Sequence, residues 1–242
     1  MPVSGHPHPP TPALHVVGVD DEGRAVASFR LAHGADPVAV LLEKGWVARQ
    51  VCGVDTVSDP DHTLTLRYAV RPASEADGPQ ARPAVPTDQG LVREPGEQVH
   101  PYQRAAAYGL VTSARGILLT QLSESTNAAG RWTLPGGGID PGESPVEALH
   151  REVWEESGQV VEELAVLDIH TQHWVGRAPS GRLEDFHAVR IIFTAHCPGP
   201  TDPVVHDVGG STADVRWVRR EEVSSYRLTR SFAPHLQAWL EL

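Results

Sequence analysis

GGGIDPGESPVEALHREVWEESG, residues 136–158, is the stretch around which this chain is organised. It reads as a glycine-rich loop followed by a helix. Ser144 suits the N-cap position, Pro145 has the fixed φ of a first helical residue, and Glu147 would complete a capping box. Gly158 can adopt the left-handed conformation that ends a helix. We therefore predict a helix of about thirteen residues that begins near Pro145.

The apolar and acidic side chains of this helix are expected on different faces. At about 100° per residue, Val146, Leu149 and Val153 fall on one side and form a stripe that faces a core. The neighbouring face carries three glutamates at i, i+3 and i+4, with an arginine at its flank: Glu152, Glu155, Glu156 and Arg151.

Three carboxylates so close together repel one another unless a positive charge lies among them. One explanation is a solvated acidic surface, which is common for runs of charge. The other is a hard divalent cation such as Mg²⁺, which binds carboxylate oxygens, keeps several waters and accepts phosphate oxygens of a substrate.

The spacing of the whole stretch carries a family resemblance. From Gly137 the chain reads Gly, five residues, Glu143, seven residues, Arg151-Glu152-Val153, one residue, Glu155-Glu156, one residue, Gly158. This string resembles the signature of the Nudix hydrolase family at every catalytic position, and such a match is far more specific than a lone glycine motif. Residues 131–135, RWTLP, also resemble the approach to a Nudix box, whereas Gln159 stands where an apolar residue is usual. The resemblance covers about residues 102–242 and leaves the N-terminal part unexplained.

The resemblance implies a metal site in the box. Glu152, Glu155 and Glu156 would be ligands of Mg²⁺ or Mn²⁺, and the main-chain carbonyl of Gly137 can join them. Arg151 would orient these glutamates through charge-assisted hydrogen bonds, or it would form only an exposed helix pair with Glu155. Glu152, Arg151 and Glu155 are our candidate catalytic residues.

The general base has several candidates. Within the family it is a box glutamate or a residue from a later loop, so Glu152 competes here with Glu184, Asp185 and His187. Glu143 precedes the predicted helix, where it could contact metal or water, or only complement the helix dipole. Geometry has to choose among them.

Substrate recognition lies outside the box. Trp174 could stack on a base, although a tryptophan at a strand end also packs against a core. Arg177, Arg182 and Arg190 are candidate phosphate contacts, with solvated surface positions as the alternative. No marker in the sequence selects one nucleotide substrate.

Composition limits the classes of partner. A chain of 242 residues with 40% hydrophobic residues is long enough for one large globular domain or two modest ones. The formal net charge of −11 argues against a nucleic-acid polymer as partner. A small phosphorylated substrate remains compatible, because a bound metal can supply the positive field.

The cysteines and the apolar runs indicate a cytoplasmic protein. Cys52 and Cys197 lack CxxC spacing, so we expect buried thiols in a reducing compartment. No apolar run reaches the length of a membrane span, and the first residues lack the pattern of a secretory signal.

Changes in pattern along the chain divide it into four parts. Residues 1–13 read as a flexible tail, residues 14–72 as a small ββαββ domain, and residues 73–99 as a proline-rich linker. Residues 100–242 would form the Nudix hydrolase domain, and the resemblance implies an α/β fold, an αβα sandwich with a mixed sheet. We expect a closing helix at residues 232–240.

These observations favour a Mg²⁺-dependent enzyme that hydrolyses a diphosphate linkage in a nucleoside diphosphate-linked or related small substrate. The alternative is a Nudix-fold sensor that binds a ligand without catalysis, with the N-terminal domain as its output. Retention of all three box glutamates speaks against that alternative. A role for the N-terminal domain in homodimerisation, or as a lid over the substrate, suits its size better.

Overall fold

The framework of the chain is a pair of β-sheets with short helices. A computed structural model describes residues 10–78, 84–88 and 90–241. The architecture is mixed α/β with a separate N-terminal sheet, which confirms the predicted fold class. The tail expected at residues 1–13 falls mostly on residues 1–9, outside the described part of the chain.

The N-terminal sheet follows the predicted ββαββ order. Its strand order is β2-β1-β4-β3, with β1 parallel to β4 and the other neighbours antiparallel. Alternate side chains of β1 and β4 are buried, because successive residues of a strand point to opposite faces. The elements are β1 (Ala13–Val19), β2 (Ala25–Arg30), α1 (Pro37–Glu43), β3 (Trp46–Val57) and β4 (Thr63–Pro72).

Helix α1 begins where the sequence predicts it. The carboxylate of Asp36 accepts a hydrogen bond from the backbone N–H of Ala39 at 2.8 Å, and Pro37 is the first helical residue. Leu41 is fully buried, so this short helix covers the sheet with its apolar side.

The second sheet has the strand order β11-β6-β5-β10-β9, with β7 paired to β6 and β8 paired to β5. The glycine-rich start of the box forms β8, which lies antiparallel to β5 with Gly137 opposite Ala107. The elements are β5 (His100–Ser113), β6 (Gly116–Leu122), β7 (Trp132–Thr133), β8 (Gly136–Gly138), α2 (Pro145–Ser157), β9 (Glu162–Arg177), β10 (Leu183–His196), β11 (Thr212–Val218) and α3 (Leu236–Leu240).

Helix α3 is shorter than the predicted residues 232–240. Turns occupy the residues before His235, although Phe232, Leu236, Trp239 and Leu240 are all buried as expected. Pro234 explains the difference, since a residue that precedes proline is disfavoured in the α conformation.

The segment expected as a linker is hydrogen-bonded to strand β9 over part of its length. Val175 donates its N–H to the carbonyl of Pro86 at 2.9 Å and accepts the N–H of Asp88 at 2.9 Å. Arg177 binds the carboxylate of Glu97. Residues 79–83 and 89 of this segment lie outside the described residues.

Two compact units divide the chain, and each is discontinuous in sequence. The first unit comprises Met1–Ala105, Ile139–Ser144 and Asp168–Val189. The second unit comprises Ala106–Gly138, Pro145–Leu167 and Arg190–Leu242. The domain boundaries proposed near residues 13, 72 and 99 remain predictions.

The two cysteines differ in their exposure to solvent. Cys197 is a buried free thiol, but Cys52 is exposed, so the prediction of two buried thiols is wrong for Cys52. Cys52 lies on β3, an edge strand of the N-terminal sheet, on a side chain position that faces away from the core. None of the helices in the described residues is long and apolar enough to span a membrane.

Candidate active site

Helix α2 runs from Pro145 to Ser157, which confirms the predicted start and length. Gly158 ends it with φ of 65° and donates its N–H to the carbonyl of Trp154 at 2.8 Å. Leu149 and Val153 are fully buried, but Val146 is 41% exposed, so the predicted apolar stripe is wrong at its first member.

The buried face of α2 is centred on an acidic residue. At about 100° per residue, Glu156 falls between Leu149 and Ala148, both of which are fully buried. Val146 falls between the buried Val153 and Ser157 on the same projection, but it lies in the first turn of the helix, where it is 41% exposed. The separation into an apolar face and an acidic face, expected from the sequence, does not hold at Glu156.

Glu156 is a buried carboxylate held by two neutral donors. Its side chain is 4% exposed. The hydroxyl of Thr212 donates to Oε1 at 2.5 Å, and the backbone N–H of Gly136 donates to Oε2 at 2.9 Å. Burial raises the pKa of Glu156 to about 8, against the effect of these two hydrogen bonds, and the negative charges of Glu152 and Asp207 add to the increase.

Arg151 binds both other glutamates of the box. Its Nη1 donates to Glu152 Oε1 at 2.9 Å and to Glu155 Oε2 at 3.2 Å, and its Nη2 donates to the carbonyl of Gly138 at 2.9 Å. The guanidinium therefore fixes α2 to strand β8 as well as holding the carboxylates. This is the geometry expected of a residue that orients metal ligands.

Glu152 lies directly against the backbone of Gly137. A Cβ atom placed on Gly137 would come within 2.4 Å of Glu152 Oε1, so only glycine leaves room for this carboxylate. The Glu152 carboxylate therefore lies beside Gly137, whose carbonyl is expected to join the three glutamates as a ligand.

The three box carboxylates do not gather around a common point. Among the described residues, a potential metal-binding group is a set of three or more His, Cys, Asp or Glu side chains whose ligand atoms all lie within 4.8 Å of one another. Glu152, Glu155 and Glu156 do not form such a group. Arg151 instead binds both Glu152 and Glu155, whereas Gly136 and Thr212 bind Glu156. Like charges repel, so this separation lowers the repulsion among the three carboxylates.

The donor set fits a hard divalent cation. Its members are carboxylate oxygens on successive turns of one helix and the carbonyls of an adjoining glycine strand, and oxygen donors are what Mg²⁺ and Mn²⁺ prefer. The cradle between Gly137 and Glu152, which a Cβ atom would fill, is consistent with such a site.

Gln159, the departure from the family pattern, is buried without loss of hydrogen bonding. Its side-chain N–H groups donate to the carbonyl of Ser157 at 3.1 Å and to the hydroxyl of Thr201 at 2.9 Å. Its Oε1 accepts the backbone N–H of Thr201 at 2.9 Å. A polar side chain with satisfied partners thus replaces the usual apolar one, and Val161 is buried nearby in sequence.

Glu143 belongs to the first unit, where it closes the turn before α2. Its carboxylate accepts the backbone N–H of Asp140 at 3.0 Å. Its carbonyl is 2.9 Å from the Nε2 atom of His62. These contacts give Glu143 a structural role in the turn.

The remaining candidates for the general base also lie in the first unit. Glu184 is buried and accepts two hydrogen bonds from Arg182, at 2.9 and 2.8 Å. Asp185 binds His173 through a short hydrogen bond. Burial, with the nearby imidazoles of His33 and His173, lowers the pKa of His187 to about 4.

The proposed substrate contacts are divided between the units. Trp174 packs on Phe186 with ring centroids 4.6 Å apart, and Arg177 donates to both oxygens of Glu97 at 2.7 and 2.8 Å. Both residues belong to the first unit. Arg190 is buried in the second unit, which also contains β8 and α2.

Sequence reasoning missed Thr212 and a cavity in the second unit. Thr212 follows a Gly-Gly-Ser turn and carries no signal of its contact with Glu156, which lies 56 residues away. The cavity has a volume of about 470 Å³. Trp132 and Tyr226 line it at a centroid distance of 5.0 Å, and the guanidinium of Arg216 lies 5.4 Å from the Trp132 ring. Aromatic faces with positive charge suit a planar, anionic ligand.

Comparison with known proteins places the similarity in the C-terminal part of the chain. The family profile described as NUDIX domain matches residues 102–240. A protein named nucleoside triphosphatase NudI from Salmonella arizonae is 30% identical over 129 residues, which cover 52% of this chain and 89% of that protein. NudI from Salmonella newport is 29% identical over the same shares of the two chains. The crystal structure of a MutT protein from Methanosarcina mazei Go1 aligns with a TM-score of 0.45 and 23% identity, covering 60% of this chain and 97% of that one.

Proposed function

Because this chain belongs to the NUDIX domain family and is a pyrophosphohydrolase, we propose that a divalent metal ion assists it in cleaving a diphosphate linkage of a nucleotide. The ligands in this proposal are Glu152, Glu155 and Glu156, joined by the carbonyl of Gly137. Mg²⁺ is the proposed ion, with Mn²⁺ as its substitute.

The burial of Glu156 is the observation that carries this proposal. A carboxylate is expensive to bury unless a positive charge or several donors compensate it. Glu156 has two neutral donors, Gly136 and Thr212, and no arginine, lysine or histidine within 4.0 Å in the part of the chain described. Such a residue destabilises the fold when ionised, so its position is explained by a ligand that needs the charge.

The protein's contribution would be to hold oxygen donors in place. A divalent ion bound there would neutralise phosphate oxygens and lower the pKa of a bound water. Arg151 would hold Glu152 and Glu155 at a fixed spacing through its fork of N–H donors. Gly137 would leave the space that Glu152 needs.

Glu152 is our proposed general base. It lies in the same unit as the other proposed ligands, and its side chain is 16% exposed, enough for contact with a water. Glu184, Asp185 and His187 remain proposed alternatives, and Glu143 remains a proposed contact to metal or water.

The proposed substrate class is a nucleoside triphosphate or another nucleoside diphosphate derivative, which agrees with the name of the relatives, nucleoside triphosphatase NudI. Trp174, Arg177 and Arg190 are the proposed substrate contacts. Arg177 would have to exchange its pair with Glu97 for a phosphate.

The test is hydrolysis of a panel of nucleotides with Mg²⁺ by the parent protein and by Glu155→Gln. Glu155 is 41% exposed on its side chain, so its replacement leaves the fold intact while it removes a proposed ligand. We expect turnover of at least one nucleoside triphosphate, and a loss of about 10³-fold or more in Glu155→Gln. Glu147→Gln is the matched control, since Glu147 is an exposed glutamate of the same helix.

The sensor hypothesis predicts a different result from the same panel. A pure binding module would bind a nucleotide without turnover, and Glu155→Gln would change affinity alone. Equal turnover by the parent and Glu155→Gln would remove Glu155 from the proposed site.

A further inference from the structure

A second cluster of ligating side chains lies in the first unit, among residues that the proposed reaction does not need together. One ligand atom from each of His33, His173 and Asp185 lies within 4.8 Å of the other two. Asp185 binds His173 Nε2 through one oxygen, and its other oxygen lies 3.4 Å from His33 Nε2. Two imidazoles therefore approach one carboxylate from its two oxygens.

A third imidazole completes a triangle of rings. The ring centroids are 5.3 Å apart for His33 and His173, 5.7 Å for His33 and His187, and 5.8 Å for His173 and His187. His187 Nδ1 lies 2.9 Å from the amide oxygen of Gln103. Since an amide oxygen only accepts, Nδ1 carries the proton and Nε2 keeps its lone pair. A fixed tautomer of this kind is typical of a histidine that ligates a metal.

The turn that carries His33 is built to fit this cluster. Gly34 has φ of +72°, and a Cβ atom on it would come within 2.5 Å of the His173 ring. The carboxylate of Asp36 accepts from the hydroxyl of Thr171 on β9 at 2.6 Å and also caps helix α1. The turn is therefore fixed to the strand that carries His173, and the close approach of the two histidines is not a chance contact of mobile side chains.

The cluster has an opening to solvent. His33 and Gln103 line a cavity of about 910 Å³ within the first unit, together with His62. An ion has an entry path through this cavity, and water or a small ligand has room at an open coordination position.

From this arrangement we propose that His33, His173 and Asp185 bind a transition-metal ion of the Zn²⁺ class and leave one coordination position open, with the His187 ring beside the site. Imidazole nitrogens with one carboxylate suit Zn²⁺, Co²⁺, Ni²⁺ or Fe²⁺, whereas the all-oxygen set of the box suits Mg²⁺. Bonds of about 2.0–2.1 Å in a tetrahedral site put two ligand atoms roughly 3.3 Å apart. The 3.4 Å between His33 Nε2 and Asp185 Oδ2 matches this spacing.

The ion would join a turn, strand β9 and strand β10 of the first unit, so it would stabilise that unit. A hydrogen-bonded His-Asp-His cluster without metal is the alternative. The two explanations differ in whether the protein takes up one equivalent of metal and gains thermal stability from it. This inference does not rest on the proposed hydrolysis.

The experiment uses the full, tag-free chain, stripped with EDTA and returned to buffer with excess Mg²⁺ to occupy the box. Titration with Co²⁺ followed by visible absorption, and with Zn²⁺ followed by melting temperature, should each saturate at one equivalent. His173→Ala and Asp185→Asn should weaken binding by at least about 10²-fold, since even outer-shell changes cost 10–100-fold. His100→Gln, a change of an exposed histidine of the same unit, should leave binding unchanged.

Two further variants keep the result decisive. Gly34→Ala should weaken Co²⁺ binding by displacing His173, and it decides the matter if His173→Ala does not fold. The double variant Glu155→Gln, Glu156→Gln should retain the Zn²⁺ equivalent, which separates this site from the box. Absence of a saturable equivalent, or binding that survives both Asp185→Asn and Gly34→Ala, would overturn the proposal.

Discussion

At the scale of single residues, stability and the proposed chemistry oppose each other at Glu156. The residue lies at the middle of the buried face of α2, where an apolar side chain would stabilise the fold more. Its hydrogen bonds from Thr212 and Gly136 reduce the cost of its charge without removing it. Packing alone does not explain a glutamate at such a position, whereas the proposed metal ligand role does.

The shifted pKa of Glu156 predicts how stability depends on pH when divalent ions are chelated. The folded pKa is about 8, above the ordinary value of 4.5. Between these values the folded state keeps a proton that the unfolded state has lost, so stability is complete below about pH 4.5 and falls as the pH rises through 8. Urea unfolding in EDTA at pH 5 and pH 9 measures this fall.

Glu156→Gln is the comparison for this prediction. Its neutral amide can still accept from Gly136 and donate to Thr212, so the variant should lose less stability between pH 5 and pH 9 and exceed the parent at pH 9. With Mg²⁺ added, the parent should gain stability and the variant should gain little. Identical pH profiles for the two proteins would show that Glu156 is not the group responsible.

At the scale of elements, α2 is held in place by its buried apolar residues Leu149 and Val153. Val146, the first member of the predicted apolar stripe, contributes little. Leu149→Ala should destabilise the protein by about 2–5 kcal/mol, because it leaves a cavity under a fully buried side chain. Val146→Ala should change the free energy of unfolding by less than about 0.5 kcal/mol, since Val146 is 41% exposed. Chemical denaturation of both variants checks the pair, and similar losses would contradict the observed orientation of the helix.

The glycines of β8 should separate fold from function. Gly136 has φ of +138° and a Cβ atom there would lie 2.2 Å from the carbonyl oxygen of Ala107, so Gly136→Ala should destabilise the chain. At Gly137 the added Cβ meets the flexible end of Glu152 at 2.4 Å, so Gly137→Ala should displace that carboxylate. We expect Gly137→Ala to lose hydrolysis while its melting temperature stays near that of the parent. A large loss of stability in Gly137→Ala would argue against this division.

At the scale of the whole molecule, the first unit cannot be formed from the N-terminal residues alone. In strand β9, Thr171, Val175 and Arg177 form hydrogen bonds with residues from earlier parts of the chain. Those partners are Asp36, Pro86, Asp88 and Glu97. A boundary between independent domains near residue 99 would cut these hydrogen bonds.

Deletion of residues 1–97 should therefore lower solubility and melting temperature, because it removes the partners of β9. Deletion of residues 1–9 is the control and should change neither. Light scattering on the full chain and on both deletions also tests the proposed homodimer, and activity of the longer deletion tests the proposed lid. A soluble, active and equally stable product lacking residues 1–97 would exclude both roles.

The sequence by itself determined the elements that depend on local spacing. The gaps between Gly137 and Gly158 identified the family, and the positions of Pro145 and Gly158 predicted the bounds of α2. The ββαββ order followed from alternating apolar residues and turn signals in the same way. These features are readable because each depends on neighbours within a few residues.

Only the tertiary structure decided which distant side chains meet. Glu156 is buried because Thr212 and Gly136 close over it, and His33 reaches His173 and Asp185 because a turn after β2 is fixed against β9. Periodicity along one helix or strand fixes the direction of a side chain within that element, but not the residue that the rest of the chain brings opposite it. Contacts of this kind depend on how the chain returns on itself, which is a property of the whole packed fold.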